Sequence, residues 1–119
     1  MRVNAFDLVA LDSLAALYSL SRLNNPRREL FHFFGFLRSV AATCFLISEV
    51  PSGDDGKLSS FEEEFLADGI FSLRHFVRDE TDVQLQLRCV KMRRARHERG
   101  YYALNRNDGR FRITRPASE

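Results

Sequence analysis

The sequence is poor in the residues that hold small metal-bound or disulfide-linked folds together. It has two cysteines and three histidines in 119 residues, and none of them cluster at the spacing of a zinc site. Cys44 lies in an apolar run, and Cys89 lies on the apolar side of an alternating one. We therefore expect two buried thiols in a reducing compartment, with neither a disulfide framework nor a zinc centre.

Long apolar segments are also absent. No run approaches the roughly 20 apolar residues of a membrane-spanning helix. The amino-terminal stretch MRVNAFDLVALDSL lacks the apolar core and the small-residue cleavage site of a secretory signal. The composition is 45% hydrophobic with eleven phenylalanines, which is enough to bury a core. These features predict a cytoplasmic protein of one modest domain that has no membrane partner.

The net charge is small, but the charges are unevenly distributed. The formal charge is +2, yet residues 1–87 carry eight Lys or Arg against thirteen Asp or Glu, and residues 88–115 carry ten against two. The cations are densest in CVKMRRARHERGYY, residues 89–102. Such a segment favours a nearby anion. The residues alone leave three interpretations open: a solvated basic face, a nucleic acid stacked on Tyr101 and Tyr102, or a nucleotide phosphate.

The first half of the chain has the hydrophobic pattern of parallel strands joined by a helix. Continuous apolar runs at residues 8–11 and at about 43–48 predict strands that are buried on both faces. Asn25 is suited to the N-cap and Pro26 to the first turn of a helix. The helical spacing of apolar residues extends this helix to about residue 40.

The second half has the pattern of antiparallel strands. Residues 69–77 and 83–92 predict two strands, and the second alternates apolar residues with Gln and Arg, so one of its faces is expected to be half exposed. Asp108-Gly109 predicts a tight hairpin turn between YYALN and RFRIT. Ser60 and Glu63 form a capping-box pattern that predicts a short helix. Together the elements predict a mixed α/β sheet.

One apolar strand ends in a carboxylate. In LVALDS, Asp12 stands at the carboxyl-terminal tip of the strand, which is the Walker B arrangement that holds Mg²⁺ directly or through water. An aspartate at this position also caps the following turn in many proteins, so both roles remain open from this stretch alone.

No phosphate-loop motif accompanies this strand. GDDGKLS, residues 53–59, has two residues between its glycines where G-x-x-x-x-G-K-[ST] requires four, and Leu58 follows Lys57. Asp54 and Asp55 would also repel phosphate. We interpret this stretch as a solvated loop.

The segments LVALDSLAALYSL, RSVAATCFLISEV, FEEEFLADGIFSL and LQLRCVKMRRARHERGYYALNRNDGRFRIT appear in an order that resembles the second half of a KaiC-type ATPase domain of the RecA superfamily. The resemblance covers about residues 6–115. It implies an α/β fold, a partial RecA-like three-layer sheet of parallel strands followed by antiparallel carboxyl-terminal strands. Residues 1–119 would form one partial domain from Walker B onward, with ATP and Mg²⁺ as cofactors.

The resemblance assigns roles to residues in the first half of the chain. Asp12 matches the Walker B aspartate that binds the metal. Ser48 and Glu49 fall where the family's next strand ends, near the γ-phosphate, which makes Ser48 a candidate nucleotide contact.

The resemblance also explains part of the cationic segment. Lys91, Met92 and Arg93 match the residues that, in ring-shaped hexamers, contact the nucleotide of the neighbouring subunit, and His97 matches the histidine at the end of that segment. Lys and Arg at such positions neutralise triphosphate charge in the manner of an arginine finger.

Departures from the family pattern bear on activity. Arg94 stands where the family has glycine, and Ala95 where it has Thr or Ser, which disturbs a close approach of the backbone to phosphate. The phosphate loop and catalytic glutamate that precede Walker B in the family have no counterpart in these residues. We therefore expect no ATP hydrolysis by this polypeptide alone and name no catalytic residue.

These observations lead to one interpretation and two alternatives. The first is half of an ATP-binding domain that acts in signalling or regulation through contacts with its own copies or with a complete KaiC-like ATPase. The second is a non-enzymatic interaction module that docks on such an ATPase and regulates it. The third is a nucleic-acid-binding module that uses residues 88–115, and the acidic remainder of the chain opposes it.

Overall fold

The structure is a computed structural model that describes residues 6–20, 24–49 and 66–115. It divides into two compact units, Met1–Ala67 and Asp68–Glu119. The first contains β1 (Leu8–Asp12), α1 (Leu14–Leu20), α2 (Pro26–Ser39) and β2 (Thr43–Ile47). The second contains β3 (Gly69–Val77), β4 (Val83–Met92), β5 (Tyr102–Asn107) and β6 (Arg110–Thr114).

In the first unit, β1 and β2 form the expected parallel pair. Leu8 lies opposite Thr43, and Asp12 lies opposite Ile47. The expectation that both faces of these strands are buried is wrong, because alternate residues are exposed along each strand, including Leu8 at 57% and Phe45 at 50%. One face of the pair is therefore open among the residues that the structure describes.

Helix α2 confirms the prediction from the sequence to within one residue. The Asn25 side chain accepts a hydrogen bond from the backbone N–H of Arg28 at 3.3 Å, which caps the amino terminus. Leu30 and Phe34, spaced by one turn, are the buried residues of the helix. Beyond its end, Ala41 adopts the left-handed conformation with φ 57°, which commonly terminates helices.

The second unit is a four-stranded antiparallel sheet in the order β3-β4-β5-β6. The strands at residues 69–77 and 83–92 match their predicted bounds. The hairpin between β5 and β6 is also confirmed: Asn107 pairs with Arg110, and Asp108 and Gly109 have φ of 52° and 75°. Two consecutive residues with positive φ are the signature of a type I′ turn, whose twist matches that of the flanking strands.

One face of this sheet carries Gln84, Gln86 and Arg88, and these side chains are less exposed to solvent than their polar character predicts. Gln84 and Arg88 are half-buried, but Gln86 is only 5% exposed. Its amide is satisfied because Arg74 Nε donates to Gln86 Oε1 at 2.9 Å and Gln86 Nε2 donates to Gln84 Oε1 at 3.0 Å.

The opposite face of the sheet is apolar and open. The pairing register places six large apolar residues on it, each more than half exposed: Phe71, Leu73, Val77, Val83, Phe111 and Ile113. Contiguous apolar surface of this kind marks interaction sites in soluble proteins.

Three further predictions concern the two cysteines, the short helix at Ser60 and the loop at residues 53–59. Cys44 and Cys89 are free thiols, but both are half-buried, so the expectation of full burial is wrong. The predicted short helix at Ser60 and the solvated loop at 53–59 lie outside the described residues.

Candidate functional site

In the first unit, Asp12 and Ser48 lie at the same edge of the parallel pair. Asp12 ends β1 and faces Ile47, the last residue of β2, and Ser48 follows directly. Parallel strands present their carboxyl ends at one edge, where ligands bind in open α/β sheets. Both side chains are exposed, and the Asp12 carboxylate makes no hydrogen bond or ion pair among the described residues. It is therefore available to a ligand.

The chain turns into a helix immediately after this carboxylate. Ser13 caps α1, since the backbone N–H of Ala16 donates to Ser13 Oγ at 3.3 Å and that of Leu17 donates to the Ser13 carbonyl at 3.2 Å. The capping role is thus filled by Ser13 rather than by Asp12. Helix α1 was not anticipated from the sequence, although the serine before LAAL was its signal.

In the second unit, Lys91 and Met92 end β4 opposite the start of β3. Lys91 pairs with Ile70 and Met92 with Gly69. A Cβ placed on Gly69 would lie 3.4 Å from Met92 Sδ, so the methionine side chain packs over the glycine. The Met92 side chain therefore has a packing role on the sheet in addition to the nucleotide contact that the family pattern implies.

Residues 93–99, here called the cationic loop, are fixed at their first residue. The backbone N–H of Arg93 donates to the Asp68 carbonyl at 2.8 Å, and Arg93 Nη1 lies 3.3 Å from Asp68 Oδ1. The two side chains are 43% and 75% exposed, so water screens the ion pair and it contributes about 1 kcal/mol or less. The guanidinium can therefore leave Asp68 for a stronger anion.

The cationic loop is fixed again near its end by Glu98. The Glu98 carboxylate accepts a hydrogen bond from the Tyr102 hydroxyl and another from Arg115 Nη2 at 3.0 Å. The bond to Glu98 raises the pKa of Tyr102 above its ordinary value of 10.0. His97 is half-buried, with Nδ1 3.0 Å from the Glu98 carbonyl. These contacts connect the loop to β5 and to the residue that follows β6.

Between these anchors the loop presents cations that are not neutralised. Arg94, Arg96 and Arg99 are exposed and make no ion pair among the described residues. Arg94 has φ 62°, a left-handed conformation that costs a non-glycine residue about 1 kcal/mol. The position thus has the backbone that suits the glycine of the family pattern, although arginine occupies it.

Tyr101 occupies a position that the sequence did not indicate. Its ring lies beneath two guanidinium groups, with Arg74 Cζ 3.5 Å and Arg88 Cζ 5.0 Å from the ring centroid. The negative face of the ring favours such contacts. Arg74 covers a face of this ring, and that face is not open for base stacking. The available signal was that Arg74 and Arg88 lie on the same face of adjacent strands.

The donors present fit part of a Mg²⁺–nucleotide site. Mg²⁺ is commonly held by one or two carboxylates together with substrate phosphates and water, and Asp12 offers one unpaired carboxylate with Ser48 beside it. No group of three or more metal-binding side chains occurs within the described ranges. Asp12 would contribute a single ligand, and the triphosphate would need a cradle from other residues.

None of the helices in the described residues is long and apolar enough to cross a membrane.

Comparison with known proteins gives one consistent result. The family model for the KaiC ATPase matches residues 2–117. Among solved structures, the chain is similar to a KaiC-like protein from the hyperthermophilic archaeon Pyrococcus horikoshii OT3, with a TM-score of 0.73 and 25% identity. The match covers 90% of this chain and 48% of that one, so the chain spans about half the length of that protein. No curated protein is similar enough to match the chain.

Proposed function

The chain belongs to the KaiC family of ATPases, and on that premise we propose that it supplies two separate parts of ATP sites whose phosphate cradle comes from outside these 119 residues. One part is the Asp12 carboxylate, with Ser48 beside it. The other is the segment from Lys91 to His97, which contacts a nucleotide held by another subunit. The protein acts in the cytoplasm, in signalling or regulation, through such subunit contacts.

The anchored cationic loop is the observation that carries this proposal. Asp68 fixes its start and Glu98 its end, so three unpaired arginines are displayed on a short segment of defined shape. Cations held in place lose less conformational entropy when an anion binds than flexible ones do. A triphosphate is the anion that the family pattern provides at this position.

Asp12 supports the proposal from the first unit. A bound Mg²⁺ ion would neutralise phosphate charge and orient the nucleotide. An exposed, unpaired carboxylate next to a strand end loses no internal contact when it coordinates such an ion. Ser48 adds a hydroxyl at the same edge.

The proposal assigns no hydrolysis to these residues alone. They contain no phosphate-loop motif to hold the β- and γ-phosphates, and no glutamate occupies the family's catalytic position. These residues would therefore contribute to hydrolysis only when residues outside them complete the site.

Nucleotide binding tests this function. We expect the chain alone to show no ATP turnover, and we expect its mixture with a complete KaiC-like ATPase to bind ATP in a Mg²⁺-dependent manner. The variant Asp12→Asn should weaken this Mg²⁺ dependence, whereas Asp7→Asn, which removes an exposed carboxylate just before β1, should not. Turnover by the 119 residues alone would contradict the proposal.

The exposed apolar face favours a second candidate function, an interaction module that needs no nucleotide. Phe71, Leu73 and Phe111 are 54%, 61% and 66% exposed on one sheet face, which suits a protein partner. Charged variants at Leu73 and Phe111 should abolish co-elution with the ATPase, while Phe36→Glu, at an exposed phenylalanine of the first unit, should not. An Asp12→Asn variant that still regulates the ATPase fully would favour this candidate.

A further inference from the structure

The tip of the β5–β6 hairpin forms a hollow of about 760 Å³, here called the hairpin basin. It is lined by Arg106, Asn107, Asp108, Arg110 and Arg112. All its lining residues come from one hairpin, so the basin is contained within the second unit.

The charges of the basin are not balanced by the protein. The guanidinium groups of Arg110 and Arg112 and the Asp108 carboxylate make no ion pair with another side chain in the described part of the chain. Arg106 pairs with Phe111 and lies over its ring, with Cζ 5.9 Å from the centroid, so its side chain is on the opposite face of the hairpin from Arg110 and Arg112. Grouped guanidinium groups repel one another unless an anion lies between them. The basin therefore carries an excess of one positive charge.

The backbone beneath the basin has a defined geometry. The type I′ turn at Asp108 and Gly109 joins two strands that pair over five consecutive positions, from Asn107 with Arg110 to Ala103 with Thr114. Arg110 and Arg112 are two residues apart on β6, so they project from the same sheet face about 7 Å from each other. Asn107 and Asn105 lie directly opposite them, which adds amide donors to the same face.

The basin is distinct from the cationic loop. Gln86 lies opposite Ala103, and β5 runs antiparallel to β4, so the hairpin tip lies level with the start of β4 near Val83. Lys91 is eight residues further along β4, which corresponds to about 25 Å. A single triphosphate bound by Lys91 and the loop does not explain arginines at the opposite end of the sheet.

We propose that the hairpin basin binds a phosphate oxyanion through Arg110 and Arg112. Guanidinium groups match the geometry of phosphate oxygens and donate two parallel hydrogen bonds to them. Two arginines on one face suit an anion that carries more than one phosphate group, either a free polyphosphate or the backbone of a nucleic acid. Asp108 lies in the lining and weakens the binding by repulsion.

Titration calorimetry tests this site. The full chain is titrated at low salt with two separate probes, inorganic pyrophosphate and a short single-stranded oligonucleotide. The double variant Arg110→Gln/Arg112→Gln should weaken binding by at least about tenfold, because hydrogen bonds between charged groups are lost. The variant Asp108→Asn should strengthen it, since asparagine tolerates the positive φ of this position while removing the repulsion. Arg28→Gln, at an exposed helix arginine, should change it by less than about twofold.

Each possible result of the calorimetry either supports or refutes the proposed site. Binding of pyrophosphate that follows this order of variants supports the basin and identifies a free polyphosphate as sufficient. Binding of the oligonucleotide alone, with the same order, supports it and identifies the nucleic-acid backbone. The site is refuted by an absence of binding to both probes, by equal losses in Arg28→Gln and the double variant, or by weaker binding in Asp108→Asn.

Discussion

Arg93 and Asp68 are joined twice, through an ion pair between Nη1 and Oδ1 at 3.3 Å and through a backbone hydrogen bond at 2.8 Å. The backbone bond fixes where the cationic loop leaves the sheet. The ion pair is exposed and therefore weak, so the guanidinium is held loosely while the chain beneath it is held firmly. This division is compatible with the proposed role, in which Arg93 exchanges the Asp68 carboxylate for a phosphate.

Removing the charge of Asp68 should separate the two contacts. In Asp68→Asn the backbone carbonyl remains and the ion pair with Arg93 is lost, so we expect the free energy of unfolding to fall by about 1 kcal/mol or less. Urea denaturation at two salt concentrations measures this, and the difference should shrink at high salt. A loss of several kcal/mol that salt does not reduce would mean that the pair is a structural contact.

Arg94→Gly should stabilise the protein. Arginine at φ 62° carries the steric cost of the left-handed conformation, and glycine does not. We expect a gain of about 1 kcal/mol, measured from the urea midpoint at unchanged slope. Arg96→Gly is the matched control: Arg96 is not among the positive-φ residues, so glycine there should destabilise the protein. Equal changes in the free energy of unfolding for the two variants would contradict steric strain at Arg94.

Ala41→Gly tests the same principle at the end of α2. Ala41 follows the helix C-cap with φ 57°, a position that favours glycine. The variant should raise the free energy of unfolding by about 1 kcal/mol. Ala42→Gly, one residue later, should lower it. Thermal and urea denaturation should agree on the sign, and a lower midpoint for Ala41→Gly would contradict the helix end described.

Tyr102→Phe should remove a dependence of stability on alkaline pH. The bond to Glu98 raises the pKa of Tyr102, so the folded protein holds the phenolic proton more tightly than the unfolded chain. The stability from this bond is fully present below pH 10 and is lost as pH rises through the raised pKa. Ultraviolet titration of the phenols should show one late-titrating group that the variant lacks. An identical titration tail in both proteins would contradict the contact.

Much of the second unit could be predicted from the sequence because its signals are local. Asp108-Gly109 specifies a turn of two residues, which then fixes the register of β5 and β6. The bounds of β3 and β4 were predicted from their apolar, strand-like sequence, which in β4 alternates with polar residues. Burial was less predictable, since a strand pattern shows which residues share a face but not which face is covered. The buried amide of Gln86 depends on Arg74, a residue from another strand.

In the candidate site, too, local features could be predicted from the sequence, whereas contacts between distant residues could not. The motif around Asp12 predicted a carboxylate at the tip of a strand, and the parallel register with β2 brings Ser48 to that edge. The partners of the cationic loop could not be predicted, because Asp68 and Arg115 are distant from it in sequence. The left-handed backbone of Arg94 was not predicted, although the family glycine at this position was its available signal.

The central claim is that this chain contacts a nucleotide held by another polypeptide. The most direct measurement mixes the chain with a complete KaiC-like ATPase and follows ATP hydrolysis and co-elution together, for the original sequence and for Lys91→Met and His97→Gln. We predict that all forms co-elute, that the original sequence changes the rate of hydrolysis, and that the two variants lose most of that change. An unchanged rate with no co-elution, or an equal effect of all three forms, would contradict the account.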